Sequence, residues 1–496
     1  MRKYRPVGYE HPVDRRHAQL GKDLYTILRE AQDQLACDAL RLRVPELKAL
    51  AQILIEFAED IPQNLGIWAA YEAYNTELFG VPLPFSKANH PEGLHRDRVR
   101  QLLWIVYQEL ISGLILSPEH RDLESITDVV CTFLRERAAE WPDDSNIKAF
   151  LETSNRYGWE IKRKLIWLGT QSYFFRIQFH RYLDENNRGR WEIGVVDDFL
   201  CQECTRWSGL GPIDILASML DITREDRHDL RHWYERHASF YHVISANEGY
   251  LDVVNIVCDR PYRIRIDMPK SPFKAGQIVS GSLVPWRGEW YWSGEQELWE
   301  SHAISDLEDL RDTMKRQSSH VLCRFWPEYE AQVRQRAKQF HKEALARHGN
   351  DLTVYPDGLA MAVDWQREMQ AAWAGRSKQE VSEVMRRHGL KKPRPDINIP
   401  PDLVEHDGGI GVFLNPEEGQ EILGDFTALE AIEGLIESDA VSPAFVHRVL
   451  TEYAGDSVKC AYRLPRDTPE YWLEYLLRSR KGHFYRKRYP SMSVVG

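Results

Sequence analysis

The sequence predicts an α+β protein that is predominantly helical, with a large helical N-terminal region, a small antiparallel β-barrel-like module of SH3-like or OB-like type in the middle, and a mixed, mainly helical C-terminal region. Three observations carry this expectation. Apolar residues recur at helical spacing over residues 1–248. Between Tyr250 and Gln296 the period changes to two: Tyr262, Ile264, Ile266 and Met268 alternate with Arg263, Arg265 and Asp267, as in a strand with one wet face. Helical spacing then returns, broken at 390–401 by Leu-Lys-Lys-Pro-Arg-Pro-Asp-Ile-Asn-Ile-Pro-Pro, whose prolines favour extended backbone and mark a linker.

In chain order, Leu20, Leu24, Ile27, Leu28, Ala31 and Leu35 predict an amphipathic helix from Asp14 to Cys37. Pro45 suits the first turn of a second helix, and a third is expected from Asn64 to Phe79. Arg96–Ser112 predicts another, and Ser117-Pro118-Glu119 combines a cap, an N1 proline and an acid suited to the helix dipole. The aromatic stretch Phe150–Glu185 reads as one central buried helix, with Lys162-Arg163-Lys164 as its wet side. A short extended piece at Trp191–Val196 and helices at Asp198–Thr205 and Pro212–Leu220 follow. Thr223 with Asp226 then opens a helix expected to run to about Ser245.

Four short strands are expected in the module: Val253–Cys258, the Tyr262–Met268 alternation, Gln277–Val284 with a bulge at Gly281, and Glu289–Trp292 after the Arg287-Gly288 turn. Trp290 and Trp292 share one face of the last strand and Tyr291 the other, so both faces should be covered and the two tryptophans mostly buried. Beyond it, helices are expected at Ala303–Gln317, Trp326–Arg347, Pro356–Ala374, Lys378–His388, Pro416–Leu423, Ala428–Glu437, Ser442–Tyr453 and Pro469–Arg480, with strands at Asp351–Tyr355 and Gly408–Leu414. The implied divisions are 1–248, 249–300, 301–389, the linker 390–401, and 402–496.

A chain of 496 residues, 43% apolar, exceeds a single core. Its formal charge of −11 argues against a nucleic-acid or membrane surface spread over the whole molecule, leaving only local basic patches for such roles. Seven scattered cysteines fit a reduced compartment. A basic start without an apolar core, and no run approaching the roughly 20 apolar residues of a membrane helix, predict a cytoplasmic protein with no membrane partner.

Motifs for chemistry are sparse. Glu225, His228, His232 and Glu235 fall on one face of the expected helix and form a weak candidate for zinc or another divalent metal, opposite an apolar stripe containing His237. Cys201 and Cys204 form an isolated CxxC that lacks a second ligand pair at finger spacing, and the neighbouring acids disfavour a thiolate. Pro142-Asp143 with Glu160-Ile161-Lys162 matches the acid/acid/lysine spacing of metal-dependent nucleases, but the lysine and second acid lie in a helical segment, where i and i+2 diverge. No nucleophile elbow or phosphate-binding glycine loop is present.

The strongest binding signal is C-terminal. Arg478, Arg480, Lys481, Arg486, Lys487 and Arg488 are interleaved with His483, Phe484, Tyr485 and Tyr489 and with no acid, a pattern that suits phosphates and stacked bases or an acidic partner. A docked structural tail explains the same residues. A secondary groove is expected at Arg263, Arg265, Trp286, Trp290 and Trp292. The sequence thus predicts a non-catalytic binding or interaction protein with a protein or nucleic-acid partner and no cofactor. A metal-dependent hydrolase or nuclease and a structural scaffold are the alternatives.

Overall fold

The computed structural model describes residues 4–84, 86, 92–111, 116–137, 141, 146–205, 207–268, 271–299, 308–309, 311, 327–387, 393, 399–417, 419–426, 435–436, 441–452 and 469–485. The chain divides into two compact units, Met1–Tyr329 with Glu470–Gly496, and Glu330–Pro469. Among the described residues no helix is long and apolar enough to cross a membrane.

The first unit begins with helices α1 (Asp14–Gln32), α2 (Val44–Gln63), α3 (Ile67–Phe79), α4 (Arg96–Leu110), α5 (Arg121–Glu136), α6 (Asn146–Leu151), α7 (Gly158–Gln171), α8 (Arg176–Asn187), α9 (Ile193–Gln202), α10 (Pro212–Met219) and α11 (Arg224–Arg231). Periodicity explains them. Leu20, Leu24 and Leu28 form the buried stripe of α1, Pro45 occupies the first turn of α2, and the Thr223 hydroxyl accepts from the Asp226 amide to start α11.

A mixed five-stranded sheet follows: β1 (His237–Asn247), β2 (Tyr250–Asn255), β3 (Pro261–Arg265), β4 (Ile278–Trp286) and β5 (Glu289–Trp299). β1 pairs with both β2 and β4, β2 with β3 and β4 with β5. β3 meets β5 through one parallel pair, Ile264 with Trp290. Buried residues lie on both faces of the sheet, although β3 keeps Arg263 exposed. Tyr241, Val243, Leu251, Val253, Tyr262, Ile264, Val279 and Leu283 form its own core, with Phe273, Trp290 and Trp292 packed on it partly buried. Val284, Trp286 and Tyr291 belong instead to the helical core. Strand alternation produces this division: Leu283 faces Trp292 across β4 and β5, and the next pair, Val284 and Tyr291, faces the other way.

Several expectations change. The helix expected to reach Ser245 stops at Arg231, and the first strand begins at His237, with buried residues alternating as far as Val243. The β-rich Phe240-Tyr241-His242-Val243-Ile244 run outweighs a helical stripe that also fits those positions. The single helix expected over Phe150–Glu185 is divided among α6, α7 and α8, with the break after α7 at Ser172, whose backbone is extended. Trp191–Val196 leads into a helix from Ile193.

Lys162 and Lys164 are not a wet face. Lys164 is fully buried, its ammonium donating to the Thr153 carbonyl at 2.7 Å and to Asn155 Oδ1 at 2.5 Å, and burial pushes it down to about 8. Of the three, Arg163 is the exposed one.

The second unit holds α12 (Pro327–His348), β6 (Leu352–Tyr355), α13 (Gly358–Ala374), α14 (Lys378–Arg387), α15 (Pro401–Val404), β7 (Ile410–Asn415), β8 (Gly419–Gly424) and α16 (Pro443–Glu452). Its antiparallel sheet runs β6-β7-β8. Tyr355, Met361, Ile410 and Val412 make one core, and Phe413 stacks on Phe445 on the other face of β7. The helix expected at Pro416–Leu423 is replaced by β8, which pairs with β7 from Asn415 with Gly419 to Ile410 with Gly424. Gly419, at φ +92°, supplies the turn that an expected helix could not contain. The linker residues 390–401 fall within this unit, and most of them lie outside the described residues, as do most of Ala303–Gln317 and Ala428–Glu437. The chain returns to the first unit as α17 (Pro469–Tyr485).

Candidate functional site

A cleft of about 230 Å³ opens where β3 and β5 separate, against the start of α7. Gly158, Trp159 and Lys162 come from α7, Arg265 to Met268 from the end of β3 and the turn after it, and Tyr291 and Trp292 from β5, with Trp233 and Phe273 completing the walls. Local chemistry fixes the α7 side. The Glu160 carboxylate accepts from the Tyr157 amide at 2.9 Å, closing the helix N-terminus. A Cβ on Gly158 would lie 2.7 Å from the Tyr291 ring, so only glycine lets helix and strand approach this closely. Trp159 stacks on Tyr157 at 4.6 Å and meets the Tyr291 ring edge-on at 5.5 Å.

The floor is a charged knot. Asp197 is 2% exposed and accepts from Lys162, from Arg236 at 2.8 Å and from the Ser293 hydroxyl at 2.9 Å. Lys162 also donates to Ser293 Oγ at 2.9 Å. Burial favours the neutral carboxyl and the neutral amine, but Lys162 and Arg236 outweigh it at Asp197, whose pKa stays below its ordinary value, and Asp197 outweighs it at Lys162, whose pKa is raised. A lysine held protonated cannot take the Ser293 proton, so this constellation is a structural ion cluster rather than a nucleophile with its base.

Arg265 stands at the mouth. It donates to Glu289 at 2.7 Å and to the Tyr250 hydroxyl at 2.5 Å, and its guanidinium lies 4.7 Å from the Tyr157 ring centre. Met268 beside it is 48% exposed. The cleft is therefore an aromatic slot with neutralised cations at its floor and edge.

Of the five residues expected to form a groove, the structure brings Arg265 and Trp292 to this cleft. Trp286 is fully buried in the helical core, its indole donating to the Asn155 carbonyl. Trp290 lies 4.7 Å from the His237 ring and 4.8 Å from Tyr262. Arg263 is exposed over the Tyr250 ring.

The described part of the basic C-terminal segment is packed inward. On α17, Tyr475 accepts from Gln101 at 2.6 Å and stacks on Trp104. Arg478 donates to Glu474 at 2.7 Å and lies 3.9 Å over the Tyr485 ring, whose hydroxyl donates to the same carboxylate. Lys481 is 1% exposed, with its ammonium 5.2 Å from the Phe484 ring centre, and His483 packs on Phe484. Arg480 is half-buried. A Cβ on Gly209 would lie 2.3 Å from the Gly482 carbonyl oxygen, which measures how tightly this turn of α17 is seated. Arg486, Lys487, Arg488 and Tyr489 lie outside the described residues.

The expected histidine face is split by the end of α11. Glu225 is exposed, the His228 and His232 rings meet at 4.0 Å, and Glu235 is off the helix and buried, 3.7 Å from His237 Nε2. Cys201 and Cys204 are both buried, and burial pushes Cys201 up to about 11. Glu160 and Lys162 both sit on α7, and Pro142-Asp143 lies outside the described residues. Among the described residues, one group of three or more His, Cys, Asp or Glu brings its ligand atoms within 4.8 Å of one another: His348, Asp364 and Glu368.

Sequence reasoning missed Asp197, Ser293, Trp159 and Trp233 as neighbours, because 35 residues separate Lys162 from Asp197 and 131 separate it from Ser293. A usable signal existed: two lysines among Ile161, Leu165 and Ile166 require buried partners.

Residues 3–202 match the model of a family described as a protein of unknown function (DUF3843). The match ends at the last residue of α9, so it takes in the α7 wall of the cleft and Asp197 but none of the sheet. No curated protein and no solved structure matches the chain.

Proposed function

We propose that this chain is a binding protein, and that the cleft between α7 and the curled sheet takes an apolar or aromatic side chain from an extended segment of a partner protein. The observation that carries the reading is the open slot lined by Trp159, Trp233, Phe273, Tyr291 and Trp292 at the place where β3 and β5 part. Separated strands beside an aromatic pocket suit strand-like peptides, whose backbone pairs with the edge while alternate side chains enter the pocket. The finer description of the sheet as a small barrel of SH3-like or OB-like type belongs to the same proposal, supported by its ring of pairings from β1 to β2, β3, β5, β4 and back to β1.

Selection of displayed random peptides on the full-length protein tests the reading. Enriched peptides should carry a large apolar residue, and Met268→Glu, at the exposed mouth, should weaken them at least tenfold. Equal binding to wild type and Met268→Glu would sink the proposal.

A second reading, nucleic-acid binding, is favoured by the acid-free cluster Arg486, Lys487, Arg488 and Tyr489. It requires binding of a labelled single strand that falls steeply with salt and with Arg486→Glu plus Arg488→Glu. In a gel-shift series, a double variant that binds like wild type removes it.

A further inference from the structure

We propose that the second unit carries a divalent-metal site formed by His348, Asp364 and Glu368, separate from the cleft and independent of the reading given for it. His348 is the last residue of α12, and Gly349, at φ +68°, turns the chain away immediately after it. Asp364 and Glu368 stand four residues apart on α13, hence on one face. One ligand atom from each of the three lies within 4.8 Å of the others, and His348 Nε2 is 2.7 Å from Glu368 Oε1.

A histidine–glutamate hydrogen bond alone would account for two of these residues. It does not account for the Asp364 carboxylate, which brings an oxygen within the same 4.8 Å as the other two ligand atoms. Arg347 reaches Glu368 Oε2, the oxygen turned away from His348, at 3.2 Å. The Tyr355 hydroxyl, projecting from β6, donates to Asp364 Oδ2 at 2.9 Å. Residues outside the trio thus orient both acids, the arrangement that fixes metal ligands in place.

One imidazole and two carboxylates favour a first-row ion such as Zn²⁺ or Mn²⁺ over an all-oxygen ion such as Ca²⁺. All three residues are half-buried, which leaves an entry path, and three protein ligands leave coordination positions open. The trio is not legible in the sequence, because its members come from two helices and meet only through their packing.

The test uses the full-length protein, with Zn²⁺ followed by titration calorimetry and Mn²⁺ by the loss of its free-ion resonance signal. One saturable equivalent is expected. Asp364→Asn and Glu368→Gln, which keep side-chain shape, should each weaken it at least tenfold, and Tyr355→Phe by about tenfold through the loss of an outer hydrogen bond. His228→Ala plus His232→Ala should leave it unchanged. Circular dichroism of each variant checks that the helices persist. The proposal is overturned by the absence of a saturable ion, by affinities within twofold of wild type in Asp364→Asn and Glu368→Gln, or by loss of binding in the His228/His232 variant instead.

Discussion

The C-terminal helix and the cleft beside the curled sheet are built from the same residue types, arginine and lysine among aromatic rings, yet they dispose of them differently. On α17 the cations are folded back: Arg478 lies over Tyr485, Lys481 is buried beside Phe484, and the backbone at Gly482 sits against Gly209. In the cleft the cations are also paired, Lys162 with Asp197 and Arg265 with Glu289, but the rings around them line open space. The difference comes from the backbone. A single residue pair joins β3 to β5, so the walls stand apart, whereas α17 is seated at glycine-to-glycine distance. A basic aromatic composition therefore says little about whether a surface is available.

The largest effect expected from breaking this arrangement is at the floor of the cleft. Asp197→Ala leaves Lys162 and Arg236 buried without their shared carboxylate and should destabilise the first unit by about 3–5 kcal/mol. Denaturant unfolding followed by tryptophan fluorescence measures it, and a loss below about 1 kcal/mol would mean that the knot is solvated. The seating of α17 comes next. Gly209→Ala meets backbone rather than a yielding side chain, at a φ of +72°, and should cost about 1–3 kcal/mol. It should also raise hydrogen exchange across 475–485 while leaving β5 protected.

Acid provides the smallest contrast. Burial lowers the His237 imidazole to about 3 and the His17 imidazole to about 4. Both are neutral in the folded protein and take up a proton near pH 6.5 when unfolded. The stabilisation is therefore complete above pH 6.5 and is lost as the pH falls towards those folded values. His237→Gln should make the stability loss between pH 7 and pH 5.5 about 1 kcal/mol smaller than in wild type. An identical pH profile in the variant would show that His237 is not held neutral.

Legibility in the sequence followed range. Helices with an uninterrupted apolar stripe, such as Leu20, Leu24 and Leu28, were plain, as was the alternation at Tyr262–Ile264. The failures lay where two periods fit the same letters or where a partner decided the outcome. Tyr241 satisfies both the helical stripe from Leu230 and the strand alternation from His237, and pairing with β2 and β4 selects the strand. Residues 419–424 are strand because β7 is beside them. The aromatic residues of the cleft were each visible, but Trp159, Trp233 and Trp292 are neighbours only through the packing of α7 on the sheet.

Tyr291 carries a further consequence. With Val284 and Trp286 it completes the core begun by the N-terminal helices, and Ser293 completes the hydrogen bonding of Asp197. The stretch 3–202 is thus not a self-contained building block in this protein. Expressed alone, it would present the α7 face as a bare apolar patch with half of a charged knot at its centre. A sheet cut out at 237–299 would show the matching wound. Any dissection of the first unit for solution work should cut elsewhere and keep α7, α9 and β5 on the same piece.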